Sequence, residues 1–84
     1  MVSISLCMIV RNEEKVLGRC LACVQGFADE IIIVDTGSTD RTKEIAFSFT
    51  DKVYDFKWKD DFAAARNFAF SKGTGDYLFW LDAD

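Results

Sequence analysis

Glu30-Ile31-Ile32-Ile33-Val34-Asp35-Thr36-Gly37-Ser38-Thr39-Asp40 sets β-branched residues between two carboxylates and follows them with a tight polar turn. Unbroken β-branched character is the pattern of a strand buried on both faces, because a half-exposed strand would alternate apolar with polar residues. Gly37 punctuates the run, and Ser38, Thr39 or Asp40 can cap a helix over about 41–49. A doubly buried strand passing straight into a helix is the building unit of a parallel sheet.

The same unit recurs on either side. Residues 3–10 (SISLCMIV) form a second nearly continuous apolar run of strand length. Asn12 follows as an expected N-cap, with Glu13 and Glu14 in the first turn, where the helix dipole favours negative charge. That helix runs to about Val24 and sets Val16, Leu17, Cys20, Leu21 and Val24 on one face, before Gln25-Gly26 breaks it. Downstream, Lys52 to Phe56 reads as a short third strand. Residues 61–72 (DFAAARNFAFSK), capped by Asp60 or Asp61, read as a third helix ending at Gly73. Tyr77 to Leu81 makes a fourth strand. The order βαβαβαβ implies a mainly parallel, three-layer α/β sheet of Rossmann-like type in one domain, residues 1–84.

A chain of 84 residues buries only about two-thirds of its unfolded surface, so its stability margin is thin, although half of its residues are hydrophobic. Its formal charge of −4, without a basic cluster, argues against nucleic acid or an anionic membrane as partner. No stretch approaches the roughly 18 apolar residues of a membrane span, and Arg11, Glu13 and Glu14 arrive too early for a signal peptide. Three cysteines leave at least one unpaired in any case, which suits a reducing, cytoplasmic setting. With no histidine in the chain, carboxylates must carry any acid, base or metal chemistry.

Asp35 and the pair Asp82 and Asp84 each end an apolar strand, and in a parallel sheet such ends share one edge. Asp at these positions also simply ends strands and starts turns. Carboxylates gathered in one crevice repel unless a cation joins them, and Mg²⁺ or Mn²⁺ takes such oxygens while leaving positions for phosphate. The turn after Asp35 lacks the spacing and the lysine of a P-loop, so helix capping explains Ser38 to Asp40 more simply. Arg66, with Asn67 among alanines on the third helix, either reaches toward the strand ends or is an ordinary solvated arginine. Cys20-Leu21-Ala22-Cys23 lies inside a helix rather than at its N-terminus, which favours core packing over redox chemistry. The aromatics from Tyr54 to Phe62 are read chiefly as core.

Taken together, the opening strand with Arg11-Asn12-Glu13-Glu14, the run Ile33-Val34-Asp35-Thr36-Gly37-Ser38-Thr39-Asp40, Ala65-Arg66-Asn67 and Leu81-Asp82-Ala83-Asp84 resemble the N-terminal nucleotide-binding part of an inverting family-two glycosyltransferase of GT-A fold. The version with Trp58, Asp60-Asp61-Phe62 and Ala65-Arg66-Asn67 is similar to bacterial members that often carry helical repeats downstream, and to some that modify peptides. The resemblance implies strand order 3-2-1-4 and a donor that is a nucleotide-diphospho-sugar, with UDP-sugar favoured. Backbone near Val10 and Arg11 would border the nucleobase and Asp35 would accept a hydrogen bond from it. Arg66 would contact the nucleotide, Asp82 would hold the ribose or a metal water, and Asp84 would ligate Mn²⁺ or Mg²⁺. Where many members carry a Pro-Thr-Tyr-like turn, this chain has Ile9-Val10-Arg11.

The family's catalytic base and acceptor site lie beyond the Asp-x-Asp motif. Residues 1–84 are therefore expected to be a truncated donor-binding half that does not itself transfer sugar, with the acceptor unknown. Two rivals are a non-catalytic α/β nucleotide-binding or interaction module and a phosphatase using Asp-x-Asp, whose motif would belong on the first strand. The strand order implied also leaves the strand 77–81 as an exposed apolar edge, a template for self-association.

Overall fold

A computed structural model describes residues 3–57 and 62–81. Four strands and three helices alternate: β1 (Ile4–Val10), α1 (Leu17–Val24), β2 (Glu30–Asp35), α2 (Thr42–Phe47), β3 (Val53–Asp55), α3 (Phe62–Lys72) and β4 (Tyr77–Trp80). The strands form one sheet in the order β3-β2-β1-β4, and every neighbouring pair is parallel. This is the expected βαβαβαβ order and the expected strand order.

Side-chain alternation along the two central strands assigns the layers. Leu6, Met8 and Val10 of β1, with Ile31 and Ile33 of β2, face α1 and α2 and meet Leu17, Leu21 and Ala46. Cys7, Ile32 and Val34 face the other way, toward Ala69 of α3, Tyr54, Phe56 and Phe68. Because β1 and β2 are covered on both sides, their apolar runs are continuous, and each fully buried Leu, Ile or Val contributes roughly 1.5–3 kcal/mol. Ala65 and Ala69, one helical turn apart and fully buried, let α3 lie close to the sheet. Cys7 Sγ reaches the Ala69 carbonyl at 3.7 Å, and burial pushes the Cys7 thiol up to about 11. The strand order reverses at β1, the arrangement that makes a crevice beyond the strand carboxyl ends.

Several expectations shift in detail. Asn12 does not cap α1, which starts at Leu17 with no side-chain cap bond. Asn12 instead has φ 52°, and this left-handed residue interrupts the helical run, leaving Glu13 and Glu14 in a turn before the helix. The second helix is shorter than expected at both ends. Its cap position falls on Arg41, which makes no side-chain cap bond, rather than on Ser38, Thr39 or Asp40; Asp40, one residue earlier, still accepts the Thr42 N–H at 2.9 Å. Of the CxxC pair, Cys20 packs against the core but Cys23 is exposed, so core packing holds for only one of them. Burial, and then the neighbouring Cys23, raise the Cys20 thiol, the opposite of redox activation. Tyr54 and Phe56 are core-packed as expected. Trp58, the caps Asp60 and Asp61, and the pair Asp82 and Asp84 lie outside the described residues.

At the amino edge of the sheet the Glu30 side chain, 8% exposed, ties four segments together. Its carboxylate accepts from Ser5 Oγ at 2.7 Å, from the Thr74 N–H at 2.8 Å and from Thr74 Oγ1 at 3.0 Å, and it pairs with Lys52 Nζ. Burial pulls the Glu30 carboxyl upward, but the bonds from Lys52, Ser5 and Thr74 outweigh it and hold the group down to about 2. Gly75 completes the junction by donating its N–H to Ser5 Oγ at 2.8 Å. A Cβ at Gly75 would lie 2.9 Å from the Ser5 nitrogen, so only glycine fits this approach.

Candidate functional site

The carboxyl edge of the sheet gathers the ends of β1, β2 and β4. Val10 and Asp35 are direct partners in the parallel register, which puts the end of the first strand beside the Asp35 carboxylate. Asp35 is 3% exposed. Its Oδ1 accepts two backbone donors, the Gly37 N–H at 2.8 Å and the Ser38 N–H at 2.7 Å. Gly37 makes this possible with φ 120°, a conformation in which any side chain would be strained. Oδ2 is buried and has no hydrogen-bond partner among the described residues. A buried carboxylate oxygen without a partner costs free energy, and such an atom marks a place where a ligand donor can bind.

Asp35, Thr36, Gly37, Asp55, Phe56 and Lys57 line a cleft of about 310 Å³ at the ends of β2 and β3. A larger cleft of about 600 Å³ opens at the opposite edge, among Gln25, Ala28, Glu30, Phe49 and Lys52. It lies at the strand amino ends, where open α/β sheets do not place ligands, and its buried carboxylate is already saturated. The smaller cleft is therefore the better candidate.

Two loops frame the site and are cross-linked. The Val10 carbonyl accepts from the Thr36 N–H at 3.1 Å and Thr36 Oγ1 at 3.4 Å, so it is already occupied, while Arg11 beside it is exposed. The Glu13 N–H donates to Thr42 Oγ1 at 2.7 Å, and Asn12 bonds to both Ser38 and Thr39. Sequence reasoning read Asn12 and Ser38 as helix caps. The signal for their actual role was the placement of an asparagine, tolerant of left-handed backbone, directly after a strand.

Arg66 is exposed on α3, and its guanidinium lies 5.6 Å from the ring centre of Trp80, the last residue of β4. The arginine is thereby brought to the carboxyl end of the fourth strand, held by a cation–π contact that the sequence did not reveal. Asp82 and Asp84, the expected ribose and metal ligands, lie outside the described residues. Among the described residues no group of three or more acidic or cysteine side chains could hold a metal ion. No helix among the described residues is long and apolar enough to cross a membrane.

The sequence model described as "Glycosyl transferase family 2" matches residues 5–84. A TPR repeat-containing protein of Synechococcus elongatus is 52% identical over 84 residues, covering all of this chain and 21% of that protein. The prophage-derived glycosyltransferase SunS of Bacillus subtilis is 39% identical over 80 residues, covering 92% of this chain and 19% of that protein. The chain thus spans about a fifth of the length of these relatives. Among solved structures, glucosyl-3-phosphoglycerate synthase of Mycobacterium tuberculosis, in complex with Mg²⁺ and UDP, superposes with a TM-score of 0.84 at 22% identity, over 99% of this chain and 34% of that one. The fold is shared with that enzyme, and the family match runs through both central strands, the Asp35 turn and the Arg66 helix. The chain belongs to glycosyl transferase family 2.

Proposed function

We propose that residues 1–84 are the donor-nucleotide half of a glycosyltransferase domain that transfers sugar from a nucleotide diphosphate with inversion. The observation that carries this reading is the Asp35 carboxylate, which has one oxygen fixed by two backbone N–H groups and the other buried without a partner. A nucleobase N–H is a donor suited to that free oxygen. Backbone around Val10 and Arg11 borders the base, and Arg66, at the end of β4, meets the negative charge of the nucleotide. Asp82 holds the ribose or a metal-bound water. Asp84, with Asp82, supplies hard oxygen donors for Mn²⁺ or Mg²⁺, which when bound neutralises charge on the departing diphosphate.

Support for a UDP-sugar donor and a divalent metal comes from the mycobacterial synthase of like fold, solved with UDP and Mg²⁺ and with UDP-glucose and Mn²⁺. No residue of this chain is assigned the part of catalytic base, and the acceptor is unspecified. Three free cysteines fit a reducing, cytoplasmic location.

The test is titration of the ¹⁵N-labelled chain with UDP and Mn²⁺. Shifts at Gly37, Ser38 and the Asp82 to Asp84 stretch, the last dependent on metal, are expected. A spectrum unchanged at millimolar UDP would leave only a non-catalytic module, and sugar turnover by this chain alone would refute the division into halves.

The edge of β4 invites a second chain. Among the described residues β4 pairs only with β1, and Tyr77, Leu78 and Phe79 are 57%, 43% and 44% exposed, with Phe27 edge-on to Phe79. An apolar edge strand of this kind templates pairing with another copy. Light scattering is expected to show concentration-dependent dimers that Phe79→Lys abolishes; a monomer at millimolar concentration would end the idea.

A further inference from the structure

Asn12 stands two residues past the end of β1 and is the one non-glycine residue of positive φ among those described, at 52°. Asparagine adopts this backbone more readily than most residues, yet the conformation persists only where surrounding contacts fix it. Those contacts converge on one segment of the neighbouring loop. The Asn12 N–H donates to Ser38 Oγ at 2.9 Å, and its Oδ1 accepts from the Thr39 N–H at 2.8 Å and Thr39 Oγ1 at 3.4 Å. Ser38 is gripped by its hydroxyl while its own N–H donates to Asp35 Oδ1 at 2.7 Å.

A carboxylate turns easily about its terminal torsion, and a partial turn re-aims both of its oxygens. Two N–H donors on one oxygen oppose that turn, and their grip is only as firm as the loop that carries them. We propose that Asn12 is a positioning residue for the nucleotide site: by holding Ser38 and Thr39 it fixes the Gly37 and Ser38 N–H groups that set the plane of the Asp35 carboxylate, and with it the direction in which the second oxygen is offered to the base. Asn12 touches no nucleotide in this scheme and acts only through the loop. The proposal rests on the nucleotide reading of Asp35, and its test has one arm that does not.

Asn12→Gly keeps the left-handed backbone and removes the side-chain acceptor, Ser38→Ala removes the acceptor for the Asn12 N–H, and Asn12→Asp restores an acceptor at the same place. Amide hydrogen exchange is compared at Gly37 and Ser38 and, as an internal control, at Cys7 and Ile32 in the sheet centre. Asn12→Gly and Ser38→Ala are each expected to speed exchange at Gly37 and Ser38 about tenfold with the control amides unchanged, and to weaken UDP binding about tenfold; Asn12→Asp returns both near wild type. Unchanged exchange at Gly37 and Ser38 in both loosening variants overturns the proposal, as does equal acceleration at the control amides, which would mark a merely structural role. Should the wild-type chain fail to bind UDP, the nucleotide reading falls, and the exchange arm still decides whether Asn12 holds the Asp35 turn.

Discussion

Glu30→Ala lowers the stability of this domain by about 3 kcal/mol, a large part of what an 84-residue chain has to lose. The side chain accepts from Ser5 Oγ, the Thr74 N–H and Thr74 Oγ1 and pairs with Lys52, so one truncation unties β1, β2, the lead into β3 and the α3–β4 loop together. Removing a nearly buried carboxylate strands its donors, and that penalty exceeds the net worth of the bonds themselves. Lys52→Ala is the informative contrast. The Lys52 side chain is 42% exposed, so its ammonium contributes at the level of a surface pair, below about 1 kcal/mol. Urea unfolding of both variants checks this, and a Glu30→Ala cost no larger than that of Lys52→Ala would sink the account.

The same group sets an acid limb. Its carboxyl is held at about 2 in the folded protein against an ordinary 4.5. A depressed folded-state value contributes stability that is full above the unfolded value and is lost as pH falls through the folded one. The difference, at 1.36 kcal/mol per pH unit, is roughly 3 kcal/mol. Stability is expected to fall between about pH 5 and pH 2, with that limb largely missing in Glu30→Ala.

Asp35→Asn weakens UDP binding by between about 10-fold and 100-fold with little change in melting temperature. The asparagine oxygen can still accept the Gly37 and Ser38 N–H groups, so the turn keeps its shape. The amide nitrogen then occupies the place of Oδ2, and a donor faces a donor. A hydrogen bond to a charged group is worth roughly 1.5–3 kcal/mol, which gives that range of affinity. Calorimetry at fixed Mn²⁺ measures it. Binding within threefold of wild type would remove Asp35 from the base contact, and a melting temperature lowered by many degrees would show that the carboxylate is structural.

How much of this was legible beforehand differs from residue to residue. Ile31 to Val34 and Leu6 to Val10 announced two-faced strands because burial on both sides imposes an unbroken apolar run, a local pattern. Asp35 stood out by its place at a strand end. Asn12 was misread because an asparagine after a strand suits an N-cap and a left-handed turn equally, and the choice is made by Ser38 and Thr39, far along the chain. Cys20 was placed on the apolar face of the first helix and packs against the core, whereas Cys23, off that stripe, is exposed. Glu30 gave no sign at all, since a glutamate opening a strand is ordinarily solvated.

The sequence by itself determined the element order, the parallel sheet and the location of a carboxylate at the end of its second strand, because burial and helical period act over a few neighbouring residues. Only the tertiary structure decided that Asp35 has one oxygen bound and one free, that Asn12 grips the opposite loop, that Arg66 lies over Trp80 and that Glu30 is tied to Ser5, Lys52 and Thr74. Each of those depends on contacts between segments distant in the chain, whose hydrogen bonds and burial exist only after the sheet has assembled.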